Sequence, residues 1–267
     1  MKRRIPGDLI RHLQWNSTSG VTPPTPTATP SGRVSPQAEY PEIVRNNPRS
    51  YIQVPQYDRG VIAVAESHKG SDLYETLEKV ANEGLTVPRI SFFRQHWENV
   101  RKAGLDKSEG LVYSDGTPVS EGDAVDLWKY FSSGHRGGCW TWLNARFRTE
   151  GGSWYMDKNL TVGTNPAGEK ILMGESEPLD CPIRQDKWTE LSFNEQGFPT
   201  MLAANQRNEP GKNMYFWHPR ENAVAGFVAD SGRAGLGCNW GAGVRNASLG
   251  VFACAAGIAS QNSGGSL

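Results

Sequence analysis

The sequence predicts an α+β fold, in which a domain over residues 59–267 follows an extended, proline-rich arm over residues 1–58. Three observations support this prediction. Nine of the 17 prolines fall within the arm, helical patterns occur between residues 71 and 132, and short strand-like runs separated by glycine and proline follow them. Helices grouped ahead of strands are typical of an α+β domain rather than of alternating βαβ units.

The arm contains the run Thr-Pro-Pro-Thr-Pro-Thr-Ala-Thr-Pro at residues 22–30, which favours polyproline II or extended chain because proline lacks a backbone N–H donor. The arm also has little apolar surface to offset its ordering entropy, so we expect it to become ordered by docking on neighbouring subunits. The residues expected to make these contacts are Lys2, Arg3, Arg4, Arg11, Trp15, Tyr40 and Tyr51.

The domain is expected to begin with a buried strand at residues 61–65, followed by three helices. The first helix is capped by Ser71 and ends at Gly84, and the second is capped by Ser91 and ends at Gly104. The third covers about residues 121–132. The buried faces of the three helices are Leu73, Leu77 and Val80; Phe93, Trp97 and Val100; and Ala124, Leu127, Trp128 and Phe131.

Short strands are predicted after Gly134, because β-branched and aromatic residues there lie between turn-forming glycines and prolines. The predicted strands are residues 139–147, 153–156, 170–173, 214–217, 223–228 and 249–253. The glycine-rich segment 235–241 is interpreted as a tight loop, since it lacks the Lys-Ser/Thr pair of a phosphate-binding loop. Residues 175–180 are interpreted as a polar loop, since their acidic residues lack the spacing of a calcium loop.

Composition narrows the class of protein. The 28 basic and 28 acidic side chains cancel, which argues against a protein that mainly coats nucleic acid. No run approaches the roughly 18 apolar residues of a membrane span, and no apolar signal segment follows the basic start, so folding in the cytosol is expected. The four cysteines form no C-x-x-C pair, which favours buried free thiols, with one disulfide or a metal site as the alternatives.

No local motif for catalysis is present. The five histidines show no H-E-x-x-H or H-x-H spacing, and no G-x-S-x-G, P-loop or G-x-G-x-x-G motif follows a predicted strand. His135 is interpreted as a surface-loop residue, and Cys139 as a buried, inert thiol between tryptophans. We therefore predict no catalytic residue, no metal ligand and no cofactor.

Three C-terminal segments resemble bacteriophage structural proteins: residues 137–147, 227–238 and 246–253. The last is also similar to the closing strands of C-type-lectin-like domains of the phage tropism-determinant and formylglycine-generating-enzyme-like kind. The resemblance implies a C-type-lectin-like domain with short helices and irregular short strands. The chain departs from the pattern in two ways: its Ser-Gly-Gly-Ser-Leu end lacks a Gly-Phe-Arg-like strand, and the Glu-Pro-Asn and Trp-Asn-Asp sugar motifs are absent. Neither calcium-dependent sugar binding nor oxidase chemistry is therefore implied.

The resemblance implies a non-enzymatic virion protein, assembled in the host cytoplasm as a homo-oligomer with major capsid or tail subunits. The leading interpretation is a capsid cement or decoration protein that the arm anchors on neighbouring subunits. The alternative is a tail-fibre or receptor-binding adhesin for a host-surface glycan or protein, with nucleic acid not expected as a partner. The candidate ligand contacts are Trp217, Asn239, Trp240, Arg245 and Asn246.

A third interpretation is a polysaccharide hydrolase. It requires two carboxylates about 5–10 Å apart in a tryptophan-lined cleft, beside Trp154 or Trp188.

Overall fold

The computed structural model describes residues 40–135 and 137–255, and confirms the predicted α+β class. The arm residues Lys2, Arg3, Arg4, Arg11 and Trp15 lie outside these ranges. The helices are α1 (Glu42–Asn46), α2 (Leu73–Asn82), α3 (Ile90–Arg101) and α4 (Glu121–Ser133). The strands are β1 (Tyr51–Gln53), β2 (Val61–Ala63), β3 (Cys139–Glu150), β4 (Ser153–Thr164), β5 (Lys170–Pro178), β6 (Lys187–Glu190), β7 (Asn213–Trp217), β8 (Val224–Asp230), β9 (Arg233–Trp240), β10 (Leu249–Gly250) and β11 (Cys254–Ala255).

The larger sheet is mixed, with strand order β5-β4-β3-β8-β9-β7-β6 and with β10 parallel to the start of β3. Successive side chains of β3 enter different cores, because side chains alternate across a strand. Leu143 packs in the core that contains α3 and α4, whereas Trp142 packs in a second core with α2. The sheet therefore separates two apolar clusters. Strands β3 and β4 have 12 residues each, so they are longer than the short, irregular strands that were expected.

The smaller sheet, β1-β2-β11, brings the two ends of the described chain together. It also corrects the predicted arm, because residues 40–58 pack into the fold. Val44 is fully buried, Tyr51 on β1 is 6% exposed, and Tyr40 packs against the α2 core. Tyr51 is thus a core residue, because the antiparallel pairing of β1 with β2 holds it in the fold, and Tyr40 is half-buried against the same core.

The predicted helix faces are buried, with Leu127 half-buried. Gly84 follows the end of α2 with φ +71°, as expected of a residue that ends a helix, but both predicted caps and the stop at Gly104 were wrong. Asp72, not Ser71, caps α2 by accepting a hydrogen bond from the Glu75 N–H at 2.9 Å. The helix α3 begins before Ser91, after Arg89, which makes no side-chain cap. It then continues into a π-turn, Lys102–Asp106, instead of stopping at Gly104.

Gly104 allows the close packing of this π-turn on α4. A Cβ atom at this position would stand 2.4 Å from the Ala124 carbonyl oxygen and 2.5 Å from Cβ of Trp128. The glycine therefore reflects a close approach between two elements, which the spacing of helix-breaking residues does not reveal.

Two predicted loops are strands. Residues 235–240 belong to β9, which is buried in the sheet and covered by indole rings that take the space of its absent side chains. Residues 175–178 belong to β5, where the charge of Glu177 is paired with Lys158 on the adjacent strand. Strand β6 was not predicted at all.

The two edges of the larger sheet differ. Within the described residues, β5 pairs only with β4, so its outer edge is open. At the opposite edge, residues 201–203 lie along β6: the Glu190 N–H donates to the Met201 carbonyl, and the Ala203 N–H donates to the Trp188 carbonyl.

Candidate functional site

A cluster of aromatic side chains lies on the outer face of β6, β7 and β9. Trp188 on β6 is paired directly with Tyr215 on β7, which is paired with Gly235 on β9. Trp217 lies on the same face, two residues beyond Tyr215. We call Trp188, Tyr215, Trp217 and the neighbouring Trp240 the aromatic face.

Three of these rings pack against neither core. The inward residues of β7, Met214 and Phe216, belong to the α3–α4 core, whereas Trp188, Tyr215 and Trp217 are half-buried by one another. The ring centroids of Trp188 and Tyr215 are 5.2 Å apart, and those of Tyr215 and Trp217 are 4.7 Å apart. Large aromatic side chains that stabilise no core are typical of recognition surfaces.

Glycines allow two indoles to lie close against the sheet. A Cβ atom at Gly235 would stand 2.6 Å from Cζ3 of Trp217, and one at Gly226 would stand 2.2 Å from Cζ3 of Trp240. Gly237 is similarly close to Trp240, at 2.5 Å from Nε1. The ring positions are therefore set by backbone contact, which limits the entropy lost when a ligand orders the side chains.

The polar atoms of these rings are available. Among the described residues, Trp188 Nε1, Trp217 Nε1 and the Tyr215 hydroxyl form no hydrogen bond with protein groups. In contrast, the fully buried Trp97 and Trp142 donate to the carbonyls of Phe131 and Ser71.

A polar chain borders the aromatic face beside Trp217. His218 Nδ1 lies 2.6 Å from Asp186 Oδ1, and Arg220 Nη1 lies 2.8 Å from His218 Nε2. A guanidinium has only donors, so Nε2 accepts and Nδ1–H donates to Asp186. Burial raises the pKa of Asp186, but hydrogen bonds from His218 outweigh it and hold that pKa below its usual value. Both ring nitrogens of His218 are thus occupied by hydrogen bonds.

A groove of about 370 Å³ opens at the other end of the aromatic face. Glu190 and Asn213, which are paired across β6 and β7, form the wall next to Trp188 and Tyr215. The remaining lining residues are mostly small or polar: Leu191, Ser192, Ala203, Ala204, Asn205, Glu209 and Lys212. The groove therefore adjoins the aromatic face at Glu190 and Asn213.

Hydrogen bonds fix one side of the groove. Asn205 Nδ2 donates to Glu209 Oε1 at 2.9 Å, and the Glu209 N–H donates to Asn213 Oδ1 at 2.8 Å. The hydrogen bond from Asn205 and the charges of Lys212 and Arg207 hold the pKa of Glu209 below its usual value. The half-buried Glu190 carboxylate differs, because it forms no hydrogen bond or ion pair with any described residue.

The structure brings only part of the predicted ligand site together. Trp217 and Trp240 both belong to the aromatic face, and Asn239 is exposed at the end of β9. Arg245 instead pairs with Asp72 and Glu75 on α2, at 2.7 and 2.5 Å. The predicted contact Asn246 closes a local turn, in which its Oδ1 accepts from the Ser248 N–H. The loop after β9 is thus anchored on α2.

Sequence reasoning missed Tyr215, Glu190 and Asn213 as site residues. The signal for Tyr215 was the alternation Met-Tyr-Phe-Trp at residues 214–217, whose period of two indicates a strand with aromatic residues on both faces. No local signal exists for Glu190 and Asn213, because strand register alone brings them together.

The cysteines are buried in the α3–α4 core, whereas His135 is on the surface. All four cysteines, Cys139, Cys181, Cys238 and Cys254, are free and buried. His135 is exposed, as predicted for a surface loop. In residues 40–135 and 137–255, no group of three or more histidine, cysteine or acidic side chains is arranged to hold a metal ion. Over the same ranges, no helix is long and apolar enough to cross a bilayer.

Comparisons with protein-family models, with curated proteins and with solved structures found no match to this chain.

Proposed function

We propose that the chain is a non-enzymatic bacteriophage virion protein, whose C-type-lectin-like domain recognises a ligand on the host surface through the aromatic face. It assembles in the host cytoplasm with capsid or tail subunits, as a homo-oligomer. The observation that carries the recognition role is that Trp188, Tyr215 and Trp217 pack against neither core and keep their polar atoms unpaired among the described residues.

The segments that carry the resemblance lie next to one another in the fold. Residues 137–147 and 227–238 contribute to β3, β8 and β9, which are neighbours in the sheet. Residues 246–253 contribute β10, which pairs with β3. Segments far apart in sequence thus form one continuous structural unit.

The described residues favour receptor binding over capsid decoration. Decoration depends on an arm that clamps neighbouring subunits, but residues 40–58 are folded into the domain. The other predicted arm contacts lie outside the described ranges. The aromatic face, by contrast, is a recognition surface within the domain itself.

Polysaccharide hydrolysis is the second candidate, because Glu190 and Glu209 both line the groove beside Trp188. A glycosidase needs one carboxylic acid whose pKa is raised so that it can protonate the leaving group. The pKa of Glu209 is lowered. The pKa of Asp186, which precedes Trp188 by two residues, is lowered as well. Glu209 is therefore not suited to be that acid.

The assignment to the virion is tested by mass spectrometry of particles purified from bacteria that produce this chain with its natural neighbours. We expect its peptides to sediment with the particles in stoichiometric amount. Recovery of the chain only in the soluble fraction would refute the virion assignment.

The recognition role is tested by adsorption. We expect the purified full-length chain to bind host cells, and the Trp217→Ala variant to bind roughly tenfold more weakly. Tyr155→Ala is the matched control, since Tyr155 is a half-buried β4 tyrosine that packs against neither core. Equal binding by all three proteins would contradict the role of the aromatic face.

A further inference from the structure

We infer that the groove and the aromatic face form one extended site for an uncharged polysaccharide chain, which is bound without being cleaved. The inference rests on the proposed recognition function and names its ligand class. Four features of the described residues lead to it: the rings, the polar lining, the closed sheet edge and the charge of the groove.

The rings provide surfaces on which sugar rings pack. Trp217 lies against the backbone of Gly235, so one face of its indole is directed away from the sheet. Tyr215 is inclined to Trp217 by 61° and Trp188 to Tyr215 by 83°, which gives a stepped surface rather than a flat one. Such a surface suits a chain of pyranose rings, each with apolar C–H groups on its faces and hydroxyls at its edge.

The groove provides the hydrogen-bonding groups that hydroxyls require. Glu190 lies two residues beyond Trp188 on the same face of β6, and its half-buried carboxylate has no partner among the described residues. Asn205, Glu209 and Asn213 are held in place by hydrogen bonds to one another. Sugar hydroxyls both donate and accept, so they match a lining of carboxylates and amides.

The closed sheet edge argues against an extended peptide as the occupant. A peptide adds to a sheet through free backbone groups of an edge strand. Residues 201–203 already bond to β6, with N–H groups of Glu190 and Ala203 donating across the pair. A peptide therefore cannot pair with the backbone of β6 at this edge.

The charge of the groove favours an uncharged ligand. Two carboxylates, Glu190 and Glu209, and one ammonium, Lys212, line it. Lys212 Nζ lies 3.6 Å from the Glu209 carboxylate, and Arg207 Nε lies 3.9 Å from it. The two carboxylates are therefore balanced by two cations that already pair with Glu209, so the groove offers no free cation to an acidic sugar.

The test is calorimetric titration of the full-length chain with cellohexaose and chitohexaose as uncharged probes and with an oligogalacturonate as the acidic probe. We expect an uncharged probe to bind and the acidic probe to bind at least about tenfold more weakly. Trp188→Ala and Glu190→Gln are each expected to weaken binding about tenfold or more. The controls Tyr155→Ala and Glu195→Gln lie outside the site and are expected to stay within about twofold.

A readout that needs no variant guards against misfolding: quenching of tryptophan emission in the unmodified chain as an uncharged hexasaccharide is added. Absence of both heat and quenching, in protein that still binds host cells through Trp217, overturns the saccharide inference while the recognition function stands. Absence of binding to cells and saccharides alike overturns both. Release of shorter saccharides, abolished by Glu190→Gln, also overturns the inference and identifies the site as a hydrolase.

Discussion

The indole of Trp217 lies against the backbone of Gly235 on the neighbouring strand, so closely that a Cβ atom at position 235 would stand 2.6 Å from Cζ3. The same Cβ atom would stand 2.8 Å from the Tyr215 carbonyl oxygen, which cannot move without disturbing the pairing of β7 with β9. The conformation of the ring is thus fixed by a residue that has no side chain.

Gly235→Ala is therefore expected to displace Trp217 and to lower the free energy of unfolding by about 1–3 kcal/mol, as overpacking does. The measurement is chemical unfolding followed by tryptophan emission. Gly243→Ala is the control, because nothing lies within 4 Å of a Cβ atom there. A fully stable Gly235→Ala protein with unchanged emission would contradict the close packing.

Asp157 on β4 holds two arginines of β3. Its carboxylate is 3% exposed and lies within hydrogen-bond distance of Arg146 and Arg148. Asp157→Asn leaves Arg146 without its buried counter-charge, so we expect a loss of about 3 kcal/mol in denaturant unfolding.

Glu150→Gln is the control for this ion pair, since Glu150 also pairs with Arg148 but is 67% exposed. Its loss is expected to cost less than about 1 kcal/mol. Equal effects of Asp157→Asn and Glu150→Gln would show that burial does not decide the strength of these pairs.

His96 predicts an acid-sensitive stability. It is buried among Phe93 and Phe131, and burial lowers its pKa from 6.5 to about 3. The unfolded chain therefore binds a proton on this residue that the folded chain does not, as pH falls from about 6.5 towards 3. Stability contributed by neutral His96 is complete above pH 6.5 and falls across that window, by about 3 kcal/mol at pH 4.

The measurement is the free energy of unfolding of the native chain and of His96→Phe between pH 7 and pH 4. We expect the loss of stability on acidification to be smaller in the variant. His135→Gln, a change at an exposed position, serves as the control. Parallel pH profiles for the native chain and His96→Phe would refute the role of this histidine.

The cysteines are expected to be unreactive in the folded protein. Burial raises the pKa of Cys181 to about 11 and that of Cys254 to about 12, and it raises the pKa of Cys139 and Cys238 well above the usual range. Because the thiolate is the reactive form, a disulfide reagent should label none of the four before unfolding and all four afterwards. Rapid labelling of even one thiol in the native state would contradict this burial.

Elements with a periodic side-chain pattern could be predicted from the sequence, and elements defined by distant partners could not. The face of α2 was readable because Leu73, Leu77 and Val80 repeat at helical spacing. Strand β9 was not readable, because Gly235 and Gly237 carry no side chains and the rings that cover them come from Trp217 and Trp240.

The same limit applies to the site. Trp217 and Trp240 were predicted from their residue type, whereas Glu190 and Asn213 are adjacent only because β6 and β7 pair in one register. A shift of one residue would turn Trp188 and Glu190 to the opposite face of the sheet. The candidate groove is therefore a property of strand pairing, which no single segment encodes.

The open edge of β5 has a consequence for self-association. Among the described strands, the outer edge of β6 is bonded to residues 201–203. The outer edge of β1 is bonded to residues 112–114, through the Gln53 N–H to the Val112 carbonyl and the Ser114 N–H to the Tyr51 carbonyl. Among the described strands of the large sheet, β5 is therefore the one whose outer edge is free to pair with another strand. Two copies that join β5 to β5 in antiparallel fashion satisfy each other's free backbone groups and leave no site for a third. Strand addition at β5 would thus give a closed, two-fold symmetric pair of sheets.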